Sequence, residues 1–515
     1  MLQHVNRRKF MKILGSASAA INLGVLTQAS AQSTAQSGGT STAPPGRNIT
    51  PSATVNRKNV VATQVKAYAW QDEGIDNLLD NLQHKGNINT VYAFTFLAGS
   101  GRIEKGGPIT LPDHGKYGEA DEGGAYYDAD PKYFQETTLR GGHSPDKFNV
   151  ITEVAPKMKA RGMDFIAWDY NNSSQFMSRL FPGFAEVCEV DVYGRRTFNA
   201  CWNHPNYRAQ LRNRIESYLL QYPDLVAGIM WGCERMGPLD NMIGGGWSSP
   251  EIGCFCDFCL TKGRARGISV DRARAGYIKL DALFQAAKKQ KRPADGFFVT
   301  FWRILLEYPE ILAWHTLWND SYHEVRGEVY GTAKMIAPAK PFGFHMVQNI
   351  TFSPFYSAVD DYAKIKHYTD FVKIASYSNA GGGRMAGFVD HLCSTIFADI
   401  SAQEFMPIVY RMMGYDEKPY AEVKQHGLSA DYVARETKRA IADTDHQVQV
   451  YASVDVNTPT VPGADQSTPE AVKAEVNAAL GAGADGVVFT REYTEAFLTN
   501  LQAGGDATRA FFARG

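Results

Sequence analysis

The chain has 515 residues and a formal net charge of −1, with 53 basic and 54 acidic side chains. At this length, with 44% hydrophobic residues, it can build one large domain or two smaller ones, each with an ample core. The balanced charge provides no basic field for nucleic acid and no basic amphipathic helix for a membrane surface. We therefore expect no nucleic-acid partner and no membrane anchor. Seven cysteines are too few for a disulfide scaffold.

The N-terminal region predicts an export signal followed by a linker. The segment Asn6-Arg-Arg-Lys-Phe-Met-Lys12 matches the twin-arginine pattern, and a weakly apolar run leads to the small-residue cleavage site Ala29-Ser30-Ala31. We therefore expect a signal peptide over residues 1–31 and a periplasmic or secreted protein. Residues 32–58 are rich in Ser, Thr, Gly and Pro, which predicts a flexible linker. Residues 59–515 remain for the folded domain.

Short β-rich segments alternate with helical segments through the rest of the chain. This alternation is typical of strand–helix units around a parallel sheet. The predicted strands cover residues 60–70, 89–96, 163–169, 225–231, 341–348, 371–377, 447–454 and 483–490. Eight such units predict a single (β/α)8 barrel, an α/β fold of the TIM-barrel type. The alternative is a doubly wound open sheet, but the glycine-rich phosphate turn that usually follows its first strand is absent.

Two insertions interrupt the regular spacing. Long helices are predicted between about residues 270 and 337, after the fourth strand, and residues 98–149 form a long connection after the second. A long connection without obvious secondary structure is usually functional or disordered. On the active-site face of a barrel, we expect it to form a cleft wall. Its candidate sugar contacts are Asp113, His114, Tyr126 and Tyr127.

Polar residues gather where the predicted strands end, which is the active-site face of a (β/α)8 barrel. Any strand must end in loop residues, but carboxylates follow five of the eight strands, more than a structural barrel needs. The strand-end residues that we expect to bind substrate are Asp169, His345, Tyr377, Arg491 and Glu492.

The carboxylate Glu234 follows the apolar fourth strand and is the candidate catalytic acid. Glycoside hydrolysis needs one carboxyl group that donates a proton to the leaving oxygen and a second that stays ionised. The neighbouring Trp231 predicts partial desolvation of Glu234, which raises the pKa of a carboxyl group. Asp455 follows the seventh strand, across the barrel mouth, and is the preferred second carboxylate. Asp169 and Glu492 are its rivals.

The segment Cys254-Phe-Cys-Asp-Phe-Cys259 offers three thiolates at the spacing of a metal site. The alternative is a disulfide between Cys256 and Cys259, formed after export. Because the twin-arginine route carries folded proteins, zinc can bind in the reducing cytoplasm first. We therefore favour a structural zinc ion with no open coordination position, and we expect no organic cofactor.

Between Glu186 and Cys259 the chain resembles the family 42 β-galactosidases, which belong to a large clan of retaining barrel glycosidases. The resembling residues are Val190-Asp-Val-Tyr-Gly-Arg-Arg196, Cys201, Pro205-Asn-Tyr-Arg208, Glu234 and Cys254-x-Cys256-x-x-Cys259. In that family, a cysteine before the acid/base strand and the three after it hold zinc. The resemblance implies a zinc site on Cys201, Cys254, Cys256 and Cys259, and a barrel that cleaves glycosidic bonds.

The sequence therefore predicts an exported glycoside hydrolase of oligo- or polysaccharides, with Glu234 as acid/base and Asp455 as nucleophile. The alternative is a barrel that binds carbohydrate without cleaving it. That alternative is favoured by Cys233, which stands where the clan has an asparagine directly before the acid/base. The sugar, the anomeric configuration, exo or endo action, the retaining or inverting outcome and self-association into a homo-oligomer stay open.

Overall fold

A computed structural model describes residues 59–97, 113–115, 123–139, 148–172, 177–245, 251–457 and 463–514. The signal peptide and the linker that we predict before residue 59 lie outside the described residues. Within the described parts of the chain, no helix combines the length and the apolar character needed to cross a bilayer.

Eight parallel strands form a closed barrel, as predicted. The strands are β1 (Val60–Val65), β2 (Thr90–Leu97), β3 (Asp164–Tyr170), β4 (Gly228–Gly232), β5 (Phe342–Met346), β6 (Phe371–Ile374), β7 (Gln449–Asp455) and β8 (Gly486–Thr490). Each strand pairs with the next along the chain, and β8 pairs with β1, with Val60 opposite Gly486. This last pairing closes the sheet, which confirms the (β/α)8 barrel over the doubly wound alternative.

The barrel interior is packed with aromatic rings. Tyr92 on β2 and Tyr451 on β7 both pack against Phe371 on β6, with ring centroids 6.2 and 5.2 Å apart. Successive strand residues point to opposite faces, so Lys373 shares the inner face of β6 with Phe371. The aromatic layer therefore lies beneath Lys373, which is nearer the mouth at the strands' C-terminal ends.

Helices connect the strands and cover the outside of the barrel. The helices are Ala67–Glu73 and Ile75–Asp80 after β1; Val150–Ala160 after β2; Met177–Leu180, Phe184–Val187 and Pro205–Gln221 after β3; Pro238–Gly244, Asp257–Ala265, Val270–Lys288, Phe297–Glu307 and Glu310–Ile336 after β4; Asn349–Phe352, Pro354–Ser357 and Tyr362–Ile365 after β5; Asn379–Leu392, Ala402–Met413, Tyr420–His426 and Ala430–Asp443 after β6; Pro469–Gly481 after β7; and Leu498–Phe512 after β8. The predicted helical insertion between β4 and β5 is confirmed.

Two predictions need local correction. The first strand ends at Val65, and a helix begins at Ala67, so the predicted strand end at residues 70–73 is helical instead. In the insertion after β2, Tyr126 and Tyr127 are buried, with exposed fractions of 3% and 2%. Both tyrosines therefore belong to the core, and the prediction that they contact sugar is wrong.

Candidate active site at the barrel mouth

Glu234 lies just beyond β4, and both of its carboxylate oxygens have protein neighbours. His345 Nε2, from β5, lies 2.8 Å from Oε1, and the Tyr170 hydroxyl, from β3, donates to Oε2 at 3.2 Å. The backbone N–H of Glu234 donates to the Asn172 side chain at 2.5 Å. The side chain of Glu234 keeps 21% of its surface exposed.

Lys373 lies next to this carboxylate–histidine pair. Its Nζ is 3.3 Å from His345 Nδ1 and 2.6 Å from the hydroxyl oxygen of Tyr377. Lys373 is fully buried and Tyr377 is nearly so, at 3% exposed. The structure therefore joins Glu234, just beyond β4, to His345 on β5 and Lys373 on β6 in a continuous line.

The surrounding charges decide the protonation states of this line. Burial opposes ionisation of Glu234, but the hydrogen bond from His345 and the cations Arg384 and Lys373 outweigh it and lower its pKa to about 2. The predicted rise in the pKa of Glu234 is therefore wrong. Burial, with Lys373, lowers the pKa of His345 to about 4, and burial lowers that of Lys373 to about 7. At neutral pH, Glu234 is ionised and His345 is uncharged.

Asp455, the last residue of β7, is fully buried. One carboxylate oxygen accepts from the backbone N–H of Ala380, in the first turn of the helix Asn379–Leu392, and the other accepts from the Asn457 amide, each at 3.0 Å. Burial raises the pKa of Asp455 to about 6. Asp455 thus ties β7 to the helix after β6.

Glu234 and Asp455 share their electrostatic neighbours. Both carboxylates influence the pKa of Lys373, of Tyr377 and of Arg384. The guanidinium of Arg384 lies over the Tyr377 ring, 5.2 Å from its centroid. The structure therefore gathers Glu234, His345, Tyr377 and Asp455, four residues predicted from the sequence, around two cations.

The residues after β8 form two ion pairs. Arg491 Nε lies 2.8 Å from Glu495 Oε2. Burial lowers the pKa of Arg491, but the charge of Glu495 outweighs burial, so the pKa of Arg491 is raised. Glu492 Oε1 lies 2.7 Å from Lys66 Nζ. Burial raises the pKa of Glu492 to about 7, because the charge of Lys66 offsets the effect of burial only in part. Arg491, as a result, is neutralised by Glu495, which sequence reasoning did not single out.

Two other predicted substrate residues lie away from this group. Asp169 is fully buried, and its two oxygens each lie 3.0 Å from nitrogens of Arg214. Asp113 is exposed, and its Oδ1 accepts from the backbone N–H of Leu498, at the start of the last helix, at 3.1 Å. The structure gives Asp169 a bracing contact between β3 and the helix Pro205–Gln221, and it gives Asp113 a capping contact at the last helix.

The four predicted metal ligands meet in one place. The Sγ atoms of Cys201, Cys254, Cys256 and Cys259 lie within 4.8 Å of one another, and that of Cys201 is 3.5 Å from those of Cys256 and Cys259. Tetrahedral zinc with Zn–S distances of about 2.3 Å places its sulfurs roughly 3.8 Å apart, so these thiols fit a metal ion. All seven cysteines lie among the described residues as free thiols, so the alternative disulfide is not formed.

Arg235 connects the cysteine cluster to Glu234. Its NH1 donates to the carbonyl of Ala200 at 2.6 Å, and its NH2 lies 2.8 Å from Glu189, both buried. Ala200 directly precedes Cys201 of the cysteine cluster, and Arg235 directly follows Glu234. The Arg235 side chain therefore links the backbone next to the cysteine cluster to the backbone that carries the candidate acid.

Sequence reasoning missed Lys373 and Arg384. Lys373 had a signal, since it is a cation inside the apolar strand Phe371–Ile374, on the face that points into the barrel. Arg384 had none, because it lies within the helix Asn379–Leu392, where a solvent-exposed arginine is the ordinary expectation.

Comparisons with known proteins agree with this architecture. No family model matches the chain, and no curated protein sequence does. Among solved structures, a β-galactosidase from the Antarctic haloarchaeon Halorubrum lacusprofundi matches with a TM-score of 0.51 at 14% identity, over 88% of this chain and 58% of its own. A family 42 β-galactosidase from G. stearothermophilus has a TM-score of 0.48 at 12% identity, over 89% and 57%. An α-L-fucosidase from Paenibacillus thiaminolyticus has a TM-score of 0.48 at 10% identity, over 88% and 50%.

The chain is thus a (β/α)8-barrel protein with the fold of glycoside hydrolases. It is similar to the β-galactosidase of H. lacusprofundi in its barrel, and it spans 58% of the length of that protein. At 14% identity this likeness shows the fold and not the activity.

Proposed function

We propose that the protein is an exported glycoside hydrolase that cleaves a bond in an oligo- or polysaccharide at the barrel mouth. One observation carries the proposal: Glu234 is a partly exposed carboxylate beyond β4, and a second carboxylate, Asp455, shares its cationic neighbours. Catalytic residues of (β/α)8 barrels lie at the C-terminal ends of strands. The twin-arginine pattern supports export to the periplasm or beyond.

In this proposal, Glu234 protonates the leaving oxygen and Asp455 is the second carboxylate, with Glu492 as its rival. His345, Tyr377 and Arg491 help to form the sugar subsite. Arg491 pairs with Glu495 and Glu492 pairs with Lys66, so the charges after β8 are balanced. Balanced charges support a neutral sugar over an acidic one such as a uronate.

A structural zinc ion on Cys201, Cys254, Cys256 and Cys259 completes the proposal. Four thiolates leave no open coordination position, so the ion would stabilise the fold and take no part in the chemistry. Asn203 supports the set, because its amide donates to Cys259 Sγ at 3.3 Å.

A carbohydrate-binding barrel without catalysis is the second candidate. It is favoured by the complete burial of Asp455, whose two oxygens already accept hydrogen bonds from the protein. A nucleophile must reach the anomeric carbon, so this candidate gains support if no carboxylate other than Glu234 proves reachable.

A screen of aryl glycosides and of plant and algal polysaccharides tests the proposal, with release of the aglycone or of reducing sugar as the readout. We expect hydrolysis of at least one substrate and its loss in Glu234→Gln. Glu153→Gln, an exposed glutamate on a barrel helix, is the matched control and keeps full activity. Carbohydrate binding without turnover across the panel would replace this proposal with the second candidate.

We also propose that the helix Phe297–Glu307 forms a contact between two copies of this chain. Its outer side carries Phe298, Val299, Trp302 and Leu306, exposed by 46, 48, 53 and 67%. At 100° per residue these four side chains fall on one face. The charges beside this outer face are already paired, Arg303 with Asp295 and Lys279 with Glu307, so an uncharged apolar surface of the same kind suits it best.

A further inference from the structure

The hydrogen bonds around His345 fix which ring nitrogen carries the proton. Glu234 is ionised, and a carboxylate can only accept, so His345 Nε2 must donate to it and carries the proton of the uncharged ring. Nδ1 is then bare and accepts from Lys373 Nζ, 3.3 Å away. The Nε2 proton points at Glu234 Oε1, 2.8 Å away. Every hydrogen bond in the line thus runs from Lys373 through His345 to Glu234.

We propose that Lys373 is a proton reservoir that loads Glu234 through His345, an inference that rests on the proposed glycoside hydrolysis. Lys373 passes a proton from Nζ to His345 Nδ1, and His345 passes its Nε2 proton to Glu234 Oε1. The products are a neutral amine, an uncharged imidazole protonated on Nδ1, and a carboxylic acid. Two protons move, the net transfer is one proton from Lys373 to Glu234, and the charges on Lys373 and Glu234 cancel.

The relay explains how Glu234 can act as an acid although it is ionised in the resting site. Glu234 has a pKa of about 2, so at neutral pH it carries no proton for a leaving oxygen. A bound sugar displaces water from the mouth, which disfavours the separated charges on Lys373 and Glu234 and so favours the transfer. The terminal torsion of a glutamate is broad and two-fold, so rotation can then turn the loaded oxygen toward the open mouth.

The burial of Lys373 suits a reservoir. Burial lowers its pKa to about 7, so it gives up a proton near neutral pH, which an exposed lysine does not. Tyr377 accepts a second hydrogen bond from Lys373 at 2.6 Å and holds the amine in place. The titratable and charged groups that face Lys373 are Glu234, His345, Tyr377, Arg384, Asp455 and Arg491.

The first test needs no catalysis, and its deciding measurement is made on the wild type. In protein labelled with ¹⁵N in the histidine rings, the signal missing from His345→Gln identifies His345. We expect an uncharged ring protonated on Nε2 and bare on Nδ1 at pH 7. Lys373→Met removes both the donor and the nearby cation, so the pKa of His345 should rise by about one unit or more. A wild-type ring protonated on Nδ1 overturns the proposal.

The second test separates a proton donor from a residue that only positions His345. Arginine keeps a donor and a positive charge but does not deprotonate in proteins. We expect Lys373→Met and Lys373→Arg each to lower kcat on a glycoside with a poor leaving group by at least tenfold. The alkaline limb of the wild-type pH profile should be lost in both. Lys438→Met, at an exposed lysine, should match the wild type.

The outcomes distinguish failure of the proton reservoir from failure of the proposed glycoside hydrolysis. If the wild type hydrolyses glycosides and Lys373→Arg keeps both rate and pH profile, Lys373 only positions His345 and the reservoir is refuted. If the wild type hydrolyses nothing in the panel, the proposed function fails, while the ring measurement still reports the hydrogen-bond direction. If Lys373→Met fails to fold, the protonation of the wild-type His345 ring and the pH profile of Lys373→Arg still decide whether Lys373 is a proton reservoir.

Discussion

Glu234 and Asp169 both stand at the ends of apolar strands, yet their surroundings assign them different roles. Glu234 faces the mouth, where histidine and cations hold it ionised and part of its surface stays open. Asp169 is sealed against Arg214, whose guanidinium also lies 3.9 Å from the centre of the Phe96 ring. A pair this deep braces the barrel, and removing one partner leaves the other charge buried alone.

We expect Asp169→Asn to destabilise the fold by about 3–5 kcal/mol, because it strands the charge of Arg214 in the interior. Chemical denaturation measures this loss. The double variant Asp169→Asn with Arg214→Met should recover part of it, since no unpaired charge remains. An Asp169→Asn protein of wild-type stability with a raised KM would contradict the bracing role and restore Asp169 as a sugar contact.

At the scale of elements, the helix after β6 and the helix after β7 meet at Asp455. Glu475, on the helix Pro469–Gly481, accepts from the Asp455 backbone N–H at 3.0 Å and from the Ser378 hydroxyl at 2.5 Å. Burial, with the charge of Asp455, raises the pKa of Glu475 from 4.5 to about 8. Glu475 is therefore protonated in the folded protein at neutral pH.

This protonation makes stability depend on pH in a definite direction. Between the unfolded pKa of 4.5 and the folded pKa of about 8, the folded state binds a proton that the unfolded state has lost, so stability falls as pH rises. From pH 5 to pH 9, we expect the free energy of unfolding to fall on the order of 4 kcal/mol further in the wild type than in Glu475→Gln. Glu470→Gln, exposed on the same helix, should behave as the wild type. Parallel curves for wild type and Glu475→Gln would show that Glu475 is ionised when folded.

The cysteine cluster is the second element-scale link, because it joins the segment before Pro205–Gln221 to the helix Asp257–Ala265. We expect about one zinc ion per chain by elemental analysis. Cys256→Ser should lose the ion and lower the melting temperature by roughly 5–10 °C, since metal binding contributes to folding. Cys393→Ser, at a half-buried cysteine outside the cluster, should keep both. A zinc-free wild type of unchanged stability would refute the metal site.

At the scale of the whole molecule, the barrel could be predicted from local patterns, while the chemistry of its mouth could not. All eight strands were located from apolar runs and helical spacing, which are local properties. Errors came where contacts distant in sequence decide: the pKa of Glu234 is lowered first by His345, 111 residues later in the chain, and then by Arg384 and Lys373, 150 and 139 residues later. The fate of Asp169 likewise depends on Arg214, 45 residues away.

The outer face of the helix Phe297–Glu307 leads to a prediction for the assembly. Two copies that bury this face remove apolar surface from water, which drives association. Light scattering should give twice the mass of one chain at micromolar concentration, and Trp302→Glu should give a single chain. Arg264→Glu, at an exposed position on another helix, is the control and should stay a dimer. A wild type that is monomeric at every concentration would rule this contact out.

The central claim, that Glu234 protonates the leaving group, is tested most directly by varying that group. A dinitrophenolate leaves without help from an acid, whereas an alkoxide or a second sugar needs the proton. We predict that Glu234→Gln lowers kcat/KM at least 100-fold on the alkyl glycoside or disaccharide, and less than tenfold for cleavage of the dinitrophenyl glycoside of the same sugar. Equal losses on both substrates, or no loss on either, would contradict the assignment of Glu234 as the acid.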